Sequence, residues 1–370
     1  MEVCHGTGIS SYGRTLAAAL PGLGRAPALL MTGPAIPSRP ARWARAAWPG
    51  PVRARPTPPP PGFAAAWSAR DLFRLAQIRV DMHRRLLNVA VATPPAIMHW
   101  TTPLPLAMRG AANVYTIHDL IPMLHPGLTD TDPVRYARIL GLVAARASHI
   151  VTVSEASRAD IVAQLGVPPD RVTVTYQPLD LPAAVGPPPR TGHMLFCGTI
   201  EPRKNLLRLI AAHRASGTGA PLILAGPDGW RAGEQLQGAP VRPLEEQGSK
   251  PGGVWRAPWL PRPALLDLLR GARALLFPSL AEGFGLPIAE AMALGVPVLT
   301  SAGGATAEIA GGAALLVDPT DAAAIAAGIT ALDHDGDLRG RLIAAGLQRA
   351  AAFTPEACMR RLAPMYDVIA

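Results

Sequence analysis

Two carboxylates, Glu282 and Glu290, stand eight residues apart, with Gly283-Phe284-Gly285-Leu286-Pro287 between them. Such a pair can accept hydrogen bonds from sugar hydroxyls while the N–H groups of a glycine-rich loop hold something charged. The flanking residues place this chemistry. Residues 274–277 form a short apolar run stopped by Pro278. Pro287 suits the first helical turn, where its missing N–H costs nothing. The helix expected over residues 288–294 ends at Gly295, a left-handed cap, and residues 296–299 read as the next buried strand. A glycine loop thus enters a helix N-terminus at the carboxyl end of a strand. Open α/β sheets bind ligands there, and the helix dipole favours an anion.

A second string, Gly198-Thr199-Ile200-Glu201-Pro202-Arg203-Lys204, follows the apolar strand expected over residues 194–197 and leads into a helix reaching Ala215. Arg203 offers a planar fork and Lys204 a point charge, which together suit a pyrophosphate. In the first half, the apolar residues 114–117 deliver His118 and Asp119 at a strand end. His118 there can donate a hydrogen bond to a hydroxyl or offset charge, and Asp119 can orient it or its loop. Near the start, His5-Gly6-Thr7-Gly8 makes a glycine-rich turn running into a helix over residues 10–20, a turn of the kind that presents N–H groups to a phosphate.

The stretch from Phe277 to Ser301 resembles the signature of the retaining GT-B glycosyltransferases of family 4 (glycosyltransferase group 1), which share a Glu-x7-Glu motif; here Glu282 and Glu290 fill it. The resemblance is strongest over residues 198–317, moderate over 114–157, where it runs through Ile121-Pro122 and His125-Pro126, and poor over 33–92. It implies an α/β protein of GT-B architecture: two Rossmann-like doubly wound domains facing across a cleft. It implies transfer of a hexose, taken as mannose-type, from a nucleotide diphosphate sugar to a hydroxyl of a glycan or lipid-linked acceptor, with retention of anomeric configuration, in envelope or exopolysaccharide synthesis.

The resemblance also distributes the roles. Arg203 and Lys204 would neutralise the leaving diphosphate, Glu290 would bind ribose hydroxyls, and Glu282 would hold sugar hydroxyls near the reacting carbon. The N–H groups of Gly283, Phe284, Gly285 and Leu286 would orient sugar and phosphate, Gly8 and Gly198 would lie beside the donor, and His118 would complete the site from the other domain. No metal and no resident cofactor is expected, because protein cations take that place. Two departures stand out. Ala257-Pro258-Trp259-Leu260 occupies the place of a Gly-Tyr-Val-like turn that holds the nucleobase, and almost no strand precedes the Gly6–Gly8 turn, so the first strand reads as truncated.

The totals agree with a two-domain enzyme. The chain has 370 residues, 49% of them hydrophobic, which is enough for two cores. The expected division is a first domain over residues 1–180, a Pro/Gly linker over 181–192, and a donor-binding domain over 193–355, with a final helix over 356–370 returning to the first domain. Cys4, Cys197 and Cys358 are scattered and odd in number, without any Cys-x-x-Cys, which suits a reducing cytoplasm and indicates neither a disulfide framework nor a zinc knuckle. No signal peptide opens the chain and no apolar run is long enough for a membrane span. The charge of +9 is lopsided: residues 1–180 hold 18 Lys/Arg against 10 Asp/Glu. A basic first half suits peripheral contact with an anionic membrane; no nucleic-acid-reading module accompanies it. Residues 33–62, rich in Pro and Arg with Trp43 and Trp48, read as a surface loop, and residues 63–91 as helical. Asp130-Thr131-Asp132 reads as a helix N-cap before Pro133, and Asp333-His334-Asp335-Gly336-Asp337 as a helix–helix turn, although both look metal-like. Two other readings stay open: a GT-B protein that binds nucleotide sugar or glycan without turnover, and a sugar-nucleotide epimerase on the same architecture.

Overall fold

The computed structural model of the chain describes residues 8–181, 191–237, 241–244 and 253–369, without the side chains of residues 8–11, 241 and 242. Gly6, Thr7 and most of the linker expected at 181–192 fall outside the described residues. The chain divides into two compact units. One comprises Met1–Met123, Asp132–Asp180 and Pro355–Ala370, the other Leu124–Thr131 and Leu181–Thr354.

The first unit alternates strands and helices: α1 (Gly8–Ala19), β1 (Ala28–Gly33), α2 (Arg39–Ala47), β2 (Val52–Arg53), β3 (Arg55–Thr57), β4 (Ala65–Arg70), α3 (Leu72–His83), β5 (Leu87–Ala90), β6 (Ile97–Trp100), β7 (Leu106–Met108), β8 (Ala112–Thr116), the short α4 (Ile121–Leu124), α5 (Pro133–Arg146), β9 (His149–Thr152), α6 (Glu155–Leu165) and β10 (Val172–Val174). The last helix of the chain, Pro355–Ile369, also belongs to this unit. The strands do not form one continuous sheet. They fall into sheets of order β1-β4-β3, β2-β5-β7 and β10-β9-β8-β6.

The seam between the last two sheets is closed by a side chain. Asn113 Oδ1 accepts the Met108 N–H at 2.8 Å, and Asn113 Nδ2 donates to Met108 O at 2.9 Å. The amide therefore supplies the donor and acceptor that a neighbouring peptide would have offered. Trp100 Nε1 also donates to Asn113 Oδ1 at 3.0 Å, and the Tyr115 hydroxyl donates to Leu106 O at 2.6 Å. Asn113 is fully buried, so every one of its polar atoms has to be satisfied internally.

Two sequence expectations fail in this unit. The Pro/Arg stretch over residues 33–62 is not merely a surface loop: it folds into α2, β2 and β3. Ser38 Oγ caps α2 by accepting the Ala41 N–H. Arg42 Nε donates to Asp71 Oδ2 at 2.6 Å, and Arg79 Nη1 holds the carbonyls of Ala46 and Trp48 at the other end of the helix. Both guanidiniums are largely buried, and they turn a polar segment into a tethered one. Residues 63–91 are not one helix either. Residues 65–70 are pulled into β4 by pairing on both sides, parallel to β1 and antiparallel to β3, with Trp67 opposite Leu30 and Pro56. Helix propensity in the Ala-rich run loses to this pairing.

The second unit carries β11 (Met194–Cys197), α7 (Leu206–Ala215), β12 (Leu222–Ala225), α8 (Ala232–Gln235), β13 (Val241–Pro243), β14 (Val254–Ala257), α9 (Arg262–Gly271), β15 (Ala274–Phe277), α10 (Leu286–Ala293), β16 (Val298–Ser301), α11 (Gly304–Ala310), β17 (Leu315–Val317), α12 (Ala322–His334) and α13 (Gly336–Ala350). The final helix of the first unit is then α14. All seven strands pair in parallel, in the order β13-β14-β12-β11-β15-β16-β17. Residues of β11, β12, β15 and β16 are buried throughout, as strands covered on both faces must be. The chain winds from β11 in one direction and from β15 in the other, so the order reverses between these two neighbours. A doubly wound sheet binds ligands at that switch point, outside the carboxyl ends of its strands.

Asp132 accepts N–H bonds from Val134 and Arg135 at the start of α5, and Asp335 accepts from Leu338 at the start of α13. Among the described residues no helix is long and apolar enough to cross a membrane.

Asn113→Ala would leave Met108 N–H and O and the Trp100 indole without partners inside the core. We expect a loss of about 2–4 kcal/mol of stability, measured by urea unfolding. A variant within 0.5 kcal/mol of wild type, roughly the size of an ordinary surface change, would show that the seam is not held by this amide.

Candidate active site

The loops following β11 and β15 meet at the switch point of the second unit, and their chemistry is ionic. Pro202–Lys204 forms a single 3₁₀ turn, so Arg203 and Lys204 are presented together before α7 begins. The Leu280 N–H donates to Arg203 O at 2.7 Å, and Asn205 Nδ2 donates to Pro278 O at 2.9 Å and Pro319 O at 2.7 Å. These bonds lock the two loops to each other.

Glu282 sits between the cations. Arg203 Nη1 donates to its Oε2 at 2.6 Å, and Lys204 Nζ donates to its Oε1 at 2.5 Å. Arg203 also pairs with Glu201 at 2.6 Å. The Lys204 ammonium lies 4.6 Å from the Phe277 ring centroid, a cation–π contact on the buried side. Burial alone would raise the Glu282 carboxyl; the Arg203 and Lys204 charges outweigh it and hold the group below the usual carboxylate range. Burial pushes the Lys204 ammonium below its ordinary value even with Glu282 beside it. Both side chains are less than a tenth exposed, so removing one partner leaves an uncompensated buried charge.

Gly283, Phe284 and Gly285 form the loop into α10, which Leu286 opens and whose N-terminus no side chain caps. Gly285 adopts φ 96°, and a Cβ there would stand 2.9 Å from Ile288 Cδ1; no other residue fits without displacing that side chain. Phe284 is buried with its ring edge-on to Phe353 at 5.5 Å. The ring therefore anchors the loop, and only backbone at this position is left to orient a ligand. Gly198 directly follows β11. Its carbonyl is approached so closely by Gly226 that a Cβ on Gly226 would lie 2.2 Å away, so the loops after β11 and β12 require glycine there.

Glu290 is buried in α10 and receives Arg262 Nη2 at 2.6 Å. Sequence reasoning did not identify Arg262. A Pro-Arg-Pro run opening a helix is common surface chemistry, and the only pointer would have been the need of a buried Glu290 for a cation. Arg256 was missed as well. It donates to Gly226 O and to Asp228 Oδ1, holding the turn after β12.

In the first unit, His118 follows β8. Its Nε2 donates to Thr101 O at 3.0 Å, and the Tyr12 ring meets it edge-on at 5.2 Å. Burial holds the imidazole below its usual pKa, and so neutral. With Nε2–H committed to a carbonyl, the neutral ring keeps Nδ1 as an acceptor, so a hydroxyl would donate to His118 rather than receive from it. That reverses the donor role expected from sequence. Asp119 accepts the Ile121 N–H and shapes the loop. Behind them, Thr116 Oγ1 is shared by Tyr12 at 3.2 Å and His99 Nε2 at 2.8 Å, and His99 Nδ1 meets the Tyr366 hydroxyl of α14 at 2.5 Å. Gly8 opens α1.

Residues 6–182 match the family described as "Glycosyltransferase Family 4" and residues 181–349 the one described as "Glycosyl transferases group 1". The chain is 34% identical over 274 residues to O-antigen chain mannosyltransferase B of Escherichia coli, covering 69% of this chain and 70% of that protein. The chain belongs to the group 1, family 4 glycosyltransferases. It is 30% identical over 268 residues to the D-inositol 3-phosphate glycosyltransferase of Acidothermus cellulolyticus, covering 66% of this chain and 59% of that protein. Among solved structures it resembles sucrose-phosphate synthase from Thermosynechococcus elongatus, with TM-score 0.64 and 19% identity over 97% of this chain and 93% of that one. Anabaena HepE, solved with UDP and glucose, gives TM-score 0.64 and 15% identity over 97% and 96%. The fold of this glycosyltransferase is thus α/β GT-B.

Burial drives His99 down to about 3 from 6.5. The unfolded chain takes up a proton near pH 6.5 that the folded chain refuses, so stability present above that pH is lost as pH falls toward the folded value. The slope approaches about 1.4 kcal/mol per pH unit. Urea unfolding of wild type and His99→Gln between pH 7 and about 4.5 should show the wild-type advantage shrinking on acidification. A constant difference would exclude a buried neutral His99.

Proposed function

We propose that this glycosyltransferase moves a mannose-type hexose from a nucleotide diphosphate sugar to a hydroxyl of a glycan or lipid-linked acceptor, retaining anomeric configuration and using no metal. The observation that carries the reading is Glu282 clamped by Arg203 and Lys204 at the switch point of the seven-stranded sheet. Two cations answered by Glu282 and Glu201 form a balanced cluster in which guanidinium and ammonium are already held side by side. When a diphosphate arrives, the two cations can turn part of their charge toward it, and Glu282 can accept hydrogen bonds from sugar hydroxyls.

Bond breaking at the anomeric carbon places negative charge on the leaving diphosphate. Arg203 and Lys204 meet that charge in a site of low water content, where it counts most. The α10 N-terminus adds its dipole. Glu290, oriented by Arg262, is assigned to the ribose hydroxyls. His118 is assigned to a substrate hydroxyl that donates to its Nδ1. The likeness to an O-antigen chain mannosyltransferase supports the mannose-type donor and the polysaccharide setting.

Lys204→Ala and Glu282→Ala should each lower kcat/KM by about two orders of magnitude or more, on the order of 3 kcal/mol. Donor turnover on a panel of acceptors measures this. NMR of the anomeric proton in the product reports configuration, and activity undiminished by EDTA reports metal independence. Transfer near wild-type rates in both variants, an inverted product, or abolition by EDTA would each defeat the corresponding part of the proposal.

A further inference from the structure

The first unit holds a second concavity that the donor chemistry does not use. A cavity of about 490 Å³ is lined by Pro49, Arg79, Arg85, Asn88, Leu142 and Arg146 among others. These residues come from α3, the turn between α3 and β5, β5 itself, the end of α5 and the turn after α2. None of the residues assigned to substrate lines it, and no carboxylate does.

The arginines are unbalanced. Among the described residues, none of Arg79, Arg85 and Arg146 lies within ion-pair distance of a carboxylate. Arg79 is over nine-tenths buried; its Nη1 is spent on the carbonyls of Ala46 and Trp48, and its Nε, also buried, has no partner. Burial and then the Arg85 charge hold its guanidinium below the usual value. The charged residues that share the cavity with this buried cation, the exposed Arg85 and Arg146, are cations too, so it lacks an anion there.

We infer that this cavity is a binding site for a phosphate group. Three guanidiniums exceed what one carboxylate can neutralise, and their forks match the several oxygens of a phosphate. Asn88 adds an amide, and Pro49 and Leu142 add apolar wall for whatever carries the phosphate. Two sources share this chemistry: a soluble phosphate and the headgroup of an anionic phospholipid. Trp48, 60% exposed and next to Pro49 in the chain, is a residue of the kind that settles at a lipid interface.

Inorganic pyrophosphate, followed by calorimetry, tests the soluble source. Co-sedimentation with phosphatidylglycerol–phosphatidylcholine vesicles, against pure phosphatidylcholine, tests the headgroup. Both are run in the Lys204→Ala background at physiological salt, so that the donor site does not report and its failure stays separate. Saturable binding of either probe is expected, weakened about tenfold or more by Arg85→Gln with Arg146→Gln. Arg55→Gln with Arg74→Gln, exposed changes of equal charge elsewhere, should leave it unaltered. Pyrophosphate binding alone assigns a soluble phosphate, and vesicle binding assigns a headgroup. Binding of neither probe overturns the inference. So does an undiminished affinity in the Arg85/Arg146 variant, or an equal loss in the Arg55/Arg74 variant, which would mark diffuse charge rather than a site.

Discussion

The clamp of Glu282 between Arg203 and Lys204 is the constraint around which the second unit is arranged. Three charges withdrawn from water are tolerated only in mutual contact and with their stems fixed. The 3₁₀ turn at Pro202–Lys204, the Asn205 amide reaching Pro278 and Pro319, and the Leu280–Arg203 hydrogen bond all serve that fixation. The sheet contributes its topology. Between β11 and β15 the strand order reverses, and the cluster stands at that switch point.

The same logic governs the first unit with the sign of the problem reversed. Around His118 the polar groups Asn113, Thr116 and Tyr12 are buried, uncharged and answered by hydrogen bonds, as is the neighbouring His99, while the unit's buried charges, Asp71 and Arg79, lie on other elements. His118 inherits its tautomer from this background, because Thr101 takes one ring proton. The cluster of the second unit is thus ionic, whereas the groups around His118 are uncharged.

How much of this was legible in the sequence depended on what fixes each segment. β11 and β15 could be read to the residue, because strands buried on both faces are uninterrupted apolar runs, here ended by Gly198 and Pro278. Edge strand β13, three residues with Pro243 at its end, carried no such pattern. The Glu282, Glu290, Arg203 and Lys204 positions were legible as a motif, but their mutual pairing and the Arg262 partner were not, since contacts between distant loops leave no trace in local spacing. β4 was hidden by composition: Ala-Ala-Trp-Ser-Ala-Arg favours helix locally, and its extended form is imposed by β1 and β3. The α2 segment was hidden for a related reason. Its order comes from Arg42 and Arg79, one reaching Asp71 and the other crossing from α3, in a chain where arginine is so common that none stands out.

The Asn113 seam has a consequence for how such a domain can vary over evolutionary time. Because one amide stands in for the ladder between β7 and β8, the sheets on either side share little backbone registry. Insertions, bulges or altered twist in the β2-β5-β7 sheet need not propagate into the strands that present His118. These two sheets of the first unit are joined at the seam through side chains, Asn113 and Tyr115, rather than through a backbone ladder, a favourable arrangement for diversifying one surface while holding the other constant.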